Sequence, residues 1–178
     1  MDKIVANDAI YFYGSIGLYG YLSNFYKCSF QGIQLDNNNI ITFNCVEQYF
    51  VYNKCILFNK TNTNLLNKIL KETNPVKIKA YGRKVENFDN TIWDNNKCRI
   101  MCDGLYYKFS QNPNLQDLLL KTNNKILYEA SPRDKVWGIG LSAQKAITKD
   151  VSTYGKNLLG KCLMNIRTRL INEVNTNN

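Results

Sequence analysis

The stretch Lys125-Ile-Leu-Tyr-Glu-Ala-Ser-Pro-Arg-Asp-Lys-Val-Trp-Gly-Ile-Gly140 decides how the rest of the chain is read. Lys125 to Ala130 is an alternating run of the kind a strand makes, and the pattern breaks at Ser131-Pro132, where a loop must begin. That loop gathers a proline, an arginine, an aspartate, one of the two tryptophans and two glycines that let backbone approach a neighbour closely. Two readings fit it. Either Asp134 caps backbone amides in a tight turn beside a buried Trp137, or the loop forms a pocket that grips a flat polar ligand.

Ahead of this loop, Ala9 to Tyr13 reads as a first strand and the glycine-punctuated stretch from Gly14 to Gly20 as a turn region. Leu22-Ser-Asn-Phe-Tyr26 wedges two small polar residues between apolar ones, so Ser23 and Asn24 either make a local turn or meet a ligand. Cys28 to Phe30, Ile33 to Leu35 and Ile40 to Phe43 are predicted strands, with Gln31-Gly32 and residues 36–39 as turns. The first quarter is then a small antiparallel sheet.

Asn44 opens the first convincing helix, which runs through Phe58. Asn44 as N-cap with Glu47 as its reciprocal acceptor would make a capping box. A second reading comes from helical spacing. Residues 47, 50, 51, 54, 57 and 58 share one face, which places the Glu47 carboxylate and the Lys54 amine on an otherwise apolar stripe, about 10 Å apart along the axis. Unpartnered buried charge is costly, so such a face borders a pocket, unless the Lys54 stem carries its amine out to solvent.

A helix from Leu65 to Lys71 follows, capped by Thr63 or Asn64, and Asn74-Pro75 starts a short one ended by Gly82. Arg83 then either clamps an anion through its planar fork or stays a solvated helix-end cation. Trp93, Met101, Leu105 and Phe109 lie on one side of the next helix, and Asn114 opens another beyond Pro113. Leu141 to Tyr154 reads as an irregular polar segment, long enough for a lid or rim. The last helix is predicted from about Asn157 to Glu173, with Gly155 and Gly160 allowing close packing and its first amides able to face an anion; the Asn-rich tail frays. The expectation is one α+β domain, residues 1–178 with a core over about 9–172, in which a small antiparallel sheet packs with several helices.

Composition narrows the function classes. The chain has 178 residues, 44% hydrophobic and 21% charged, so it buries a core without needing metals or disulfides. Six scattered cysteines and no histidine argue against a zinc site and a Cys-His nucleophile, and no metal or cofactor is expected. No membrane span or signal pattern is visible, which points to a reducing, cytoplasmic setting. The net charge of +9 favours a polyanionic ligand, though the basic residues are spread thinly.

Leu22-Ser-Asn-Phe-Tyr26, Glu47-Gln-Tyr-Phe50 with Lys54, Gly82-Arg83, Trp93, Met101, Lys108-Phe109, Glu129 to Ser131, Asp134 with Trp137 to Gly140, Gly155 to Gly160 and Leu163 to Arg167 resemble, in number and order, the YbiA-like N-glycosidase family, the NADAR domain. Gln48 departs from the family's usual histidine, which bears on substrate choice. The resemblance implies cleavage of a ribosyl N-glycosidic bond. The substrate would be ADP-ribosylated guanine in DNA, RNA or a nucleotide, or a phosphoribosylated aminopyrimidine of riboflavin synthesis. It also implies catalytic roles for Glu47, Lys54 and Asp134. The carboxylates stabilise charge or move protons, and Lys54 forms a Schiff base. Ser23, Asn24, Phe25, Arg83, Trp137, Gly138, Gly155 and Asn157 are the implied substrate contacts. Trp137 would stack on the base, and Arg83 with the amides near Gly155 and Asn157 would hold phosphates. A non-catalytic ADP-ribose or nucleic-acid binding module is the competing class.

Overall fold

The computed structural model describes residues 5–6 and 8–176, and the last two residues of the Asn-rich tail lie outside them. The fold is α+β, built as two compact units. One comprises Lys27–Asn112. The other is formed by the flanking stretches, up to Tyr26 and from Pro113 onward.

The Lys27–Asn112 unit is organised by α1 (Val46–Asn59), whose residues are buried almost all round. A helix apolar on every side must be enclosed by others. Around α1 pack α2 (Thr63–Lys71), α3 (Pro75–Gly82) and α4 (Asn90–Ser110). Each begins with a side-chain cap: Asn62 accepts from the Leu65 amide, Asn74 from Val76 and Asp89 from Ile92. Asn62, rather than Thr63 or Asn64, therefore caps α2. At Gly104 a Cβ would come 2.7 Å from the Tyr49 ring, which explains a glycine in the middle of α4.

The strands of this unit differ from expectation. Residues 30–33 form one strand, β3 (Phe30–Ile33), paired antiparallel with β4 (Ile40–Phe43) in the register Phe30 with Phe43 and Ile33 with Ile40. Gln31-Gly32 is therefore not a turn. Gly32 is there because Tyr49 packs against it: a Cβ would sit 2.8 Å from that ring.

In the other unit, β2 (Ala9–Phe12) is the middle strand of three, antiparallel to β1 (Val5–Ala6) and parallel to β5 (Ile126–Glu129). The predicted first strand thus joins the strand that leads into the 131–140 loop, instead of a sheet confined to the first quarter. Ile10 and Leu127 are paired and buried. α7 (Leu158–Thr176) packs on β5 through Leu159, Leu163, Ile166 and Leu170, and α5 (Pro113–Leu120) packs on α7. Buried Arg167 is accommodated because its Nη1 donates to Thr122 Oγ1 at 2.8 Å and to the Lys125 carbonyl at 2.9 Å. The 141–154 segment is more ordered than predicted. It holds a turn of helix, α6 (Ala143–Ala146), and a 3-10 turn at Val151–Thr153, and buries Ala146 against Ala130 and Ile139.

All six cysteines are free thiols, three of them buried. Among the described residues no helix is long and apolar enough to cross a membrane.

Candidate active site

The start of α1 separates two acidic-amide neighbours with different tasks. Cys45, rather than Asn44, is the N-cap and makes no side-chain capping bond. Gln48, not Glu47, reaches back: its Oε1 accepts from the Asn44 amide at 2.8 Å. The Gln48 amide also donates to the Ile69, Leu70 and Glu72 carbonyls, tying down the last turn of α2. Gln48 is therefore a structural tie between α1 and α2. Glu47 is left out of that cap and lies only 4% exposed.

Two turns on, Lys54 is half-buried. Its Nζ donates to the Gly82 carbonyl at 3.0 Å and lies 4.3 Å from the Phe88 ring centroid and 5.3 Å from that of Trp93. The stem does not carry the amine out to open solvent. Burial pulls this amine below the usual lysine range, and the Glu47 carboxylate opposes that pull. Gly82 can offer its carbonyl because α3 ends close against α1, where a Cβ at 82 would meet Val51 at 3.1 Å. The Arg83 that follows is exposed. Lys54, the Glu47 charge and the Gly82-Arg83 corner are thus gathered in one unit. Nothing in the sequence pattern announced Phe88, which stands in the loop between α3 and α4 outside any periodic run.

α4 adds a feature that was ambiguous in sequence. Lys108 is 0% exposed, with its Nζ 4.9 Å from the Phe109 ring centroid. Burial draws its amine down to about 8, opposed by Cys28 and Cys45. At the far end of α1 lies an open cavity of about 490 Å³ with Asp36, Phe58, Asn59 and Asn87 in its lining. None of the predicted site residues lines it.

The remaining predicted residues belong to the other unit. Asp134 Oδ1 accepts from the Val136 and Trp137 amides at 2.9 and 2.8 Å, so it caps the turn, the first of the two readings of this loop. Trp137 is half-buried. Gly138 is required, since a Cβ there would fall 2.7 Å from the Glu129 carbonyl. Ser23 makes a local turn, its Oγ accepting from the Phe25 amide at 3.1 Å; Asn24 and Phe25 are half-buried beside it.

The amides near Gly155 and Asn157 correct an expectation. Gly155 N donates to Ile139 O, Lys156 N to Lys135 O, Asn157 N to Gly138 O, Leu158 N to Val136 O and Leu159 N to Trp137 O. The loop's own carbonyls consume the amides expected to hold phosphate. Asn157 is buried at φ 52°, its Oδ1 accepting from Glu129 N at 3.0 Å and its Nδ2 donating to Leu127 O at 2.8 Å. Its polar atoms knit β5 to the loop.

Lys54 and the Glu47 carboxylate whose charge bears on its amine are carried by the same helix, α1. The NADAR domain model matches residues 11–171, across both units. The chain belongs to the NADAR family. It is 46% identical over 134 residues to N-glycosidase R617 of Acanthamoeba polyphaga mimivirus, covering 75% of this chain and 78% of that one. It is 29% identical over 170 residues to the maize riboflavin biosynthesis protein PYRR, covering 93% of this chain and 26% of that protein. The solution structure of Escherichia coli YbiA superposes with a TM-score of 0.71 at 28% identity, over 96% of this chain and 89% of YbiA.

Proposed function

We propose that this NADAR N-glycosidase hydrolyses the bond between ribose and guanine in ADP-ribosylated guanine and releases ADP-ribose. The observation that carries the reading is the half-buried Lys54 amine, set on aromatic faces and under the field of buried Glu47. In the reaction, the C1′–N bond breaks as a proton passes to the departing base, and the neutral Lys54 amine bonds to C1′. The glycosylamine opens to a Schiff base; water adds to its carbon and the amine leaves, restoring Lys54. Glu47 stabilises positive charge developing at C1′ and carries the proton between base, amine and water. Exposed Arg83, next to the Gly82 carbonyl that holds Lys54, is assigned to a phosphate of the substrate. Asp134, in the other unit, is assigned to shaping its own loop. The net charge of +9 suits a substrate with a pyrophosphate and flanking nucleic acid.

The likeness to PYRR favours a second reading, in which the substrate is a phosphoribosylated aminopyrimidine. Both are tested by mass spectrometry after incubation with an ADP-ribosylated guanine oligonucleotide and, in parallel, the phosphoribosylaminopyrimidine. ADP-ribose released by wild type and not by Glu47→Gln supports the first. Release of the pyrimidine base alone supports the second. Binding of ADP-ribose without turnover of either would make the chain a binding module.

A further inference from the structure

We infer that Phe88 and Trp93 are positioning residues for Lys54: their rings shut water away from its amine and hold it in place for attack on the sugar carbon. The inference rests on the Lys54 mechanism proposed above. The rings belong to one interlocked cluster, with Phe58–Phe88 centroids 5.1 Å apart, Phe50–Trp93 5.0 Å, Phe58–Trp93 6.3 Å and Phe88–Trp93 6.3 Å. Phe50 is buried in α1 and anchors the cluster on the helix that carries Lys54. Phe88 is 40% exposed, an apolar ring at the surface whose face covers the amine at 4.3 Å. The adjacent Asn87, at φ 55°, turns the loop back on itself.

Two effects of these rings act in opposite directions. A ring face attracts the ammonium form, whereas exclusion of water favours the neutral amine. Burial is the larger influence on Lys54, and the charge acting against it is Glu47 on its own helix. On the elements packed on α1, Lys68 and Lys71 of α2 and Lys79 and Arg83 of α3 are exposed, Asp94 and Lys97 of α4 form an ion pair, and Lys108 of α4 is fully buried. Shielding is assigned the larger part, and a smaller apolar side chain in place of the ring separates the two effects.

The test compares wild type, Phe88→Ala and Phe88→Leu by two readouts: the pH dependence of kcat/KM, and the titration of the Lys54 Nζ-bearing carbon by 13C NMR, assigned with Lys54→Arg. Phe88→Ala is expected to raise the Lys54 midpoint and the acidic limb of the rate profile together by about one pH unit. That cuts the neutral fraction and kcat at neutral pH about tenfold, with KM little changed. Phe88→Leu, which keeps the shield and lacks the ring face, is expected to bring both back to the wild-type values or slightly below them. An unmoved midpoint in Phe88→Ala, or a midpoint that falls alike in both variants, overturns the inference. A midpoint that rises in Phe88→Ala and returns in Phe88→Leu, in a protein that turns over neither substrate, supports the shielding and fails the glycosidase reading instead.

Discussion

Lys108 offers a perturbation whose size follows from the structure. It is completely buried, and burial holds its amine at about 8 where the ordinary value is 10.5. Below about pH 8 the amine is protonated in both folded and unfolded chains, and the cost of burying the charge is complete. As pH rises through the folded value, the folded protein releases the proton while the unfolded chain keeps it. The unfolded state then binds more protons, so stability increases with pH until about 10.5. From about pH 7 to about pH 10 the gain is about 2 kcal/mol. Lys108→Met keeps the length of the side chain and removes the titration. Urea unfolding of both proteins across this range, with thiols kept reduced, gives their stability difference at each pH. Any fixed cost of the substitution cancels in the slope. The wild type is expected to gain about 2 kcal/mol over the variant between the two ends. A difference that stays flat within about 0.5 kcal/mol would show that the amine is neither desolvated nor shifted.

Other predictions concern how the site is held. Gly82→Ala brings a methyl to 3.1 Å from Val51, and should destabilise by about 1–3 kcal/mol in denaturant unfolding while moving the carbonyl off Lys54 and slowing turnover. Asp134→Asn keeps an acceptor for the Val136 and Trp137 amides and should retain activity within about threefold, whereas Asp134→Ala loosens the turn by about 1 kcal/mol. A loss of about 100-fold in the asparagine variant would give the carboxylate's charge a direct part in the reaction. Asn157→Ala strands Glu129 N and Leu127 O and puts alanine at φ 52°, so unfolding should show a loss of about 2–4 kcal/mol.

Much of the scaffold was legible because its signals are local. Asn74-Pro75 announced α3, apolar spacing placed α1, α4 and α7, and the break after Ala130 marked the loop that follows β5. What was misread depends on distant partners. Gln31-Gly32 has the chemistry of a turn, and only the Tyr49 ring explains a glycine inside β3. The parallel pairing of β2 with β5 joins segments far apart in the chain, and no local pattern encodes it. At the candidate site, helical spacing alone put Glu47 and Lys54 on one face. The capping box was given to the wrong neighbour, because it was counted from Asn44. The helix starts one residue later, with Cys45 as N-cap, so the side chain that reaches back to the Asn44 amide is that of Gln48, which the α2 carbonyls also hold. The amides of 155–159 looked available since a helix start leaves them unpaired, until the 135–139 carbonyls supplied partners. Phe88 carried no signal, because an aromatic in a loop has no period to reveal what its ring covers.

The central claim is that Lys54 bonds covalently to the ribose during turnover. Borohydride added while the protein turns over ADP-ribosylated guanine should trap a stable secondary amine, found by peptide mass mapping on Lys54 and absent from Lys54→Arg, which should also lose turnover. Undiminished turnover by Lys54→Arg, or an adduct mapped to another residue, would contradict the account.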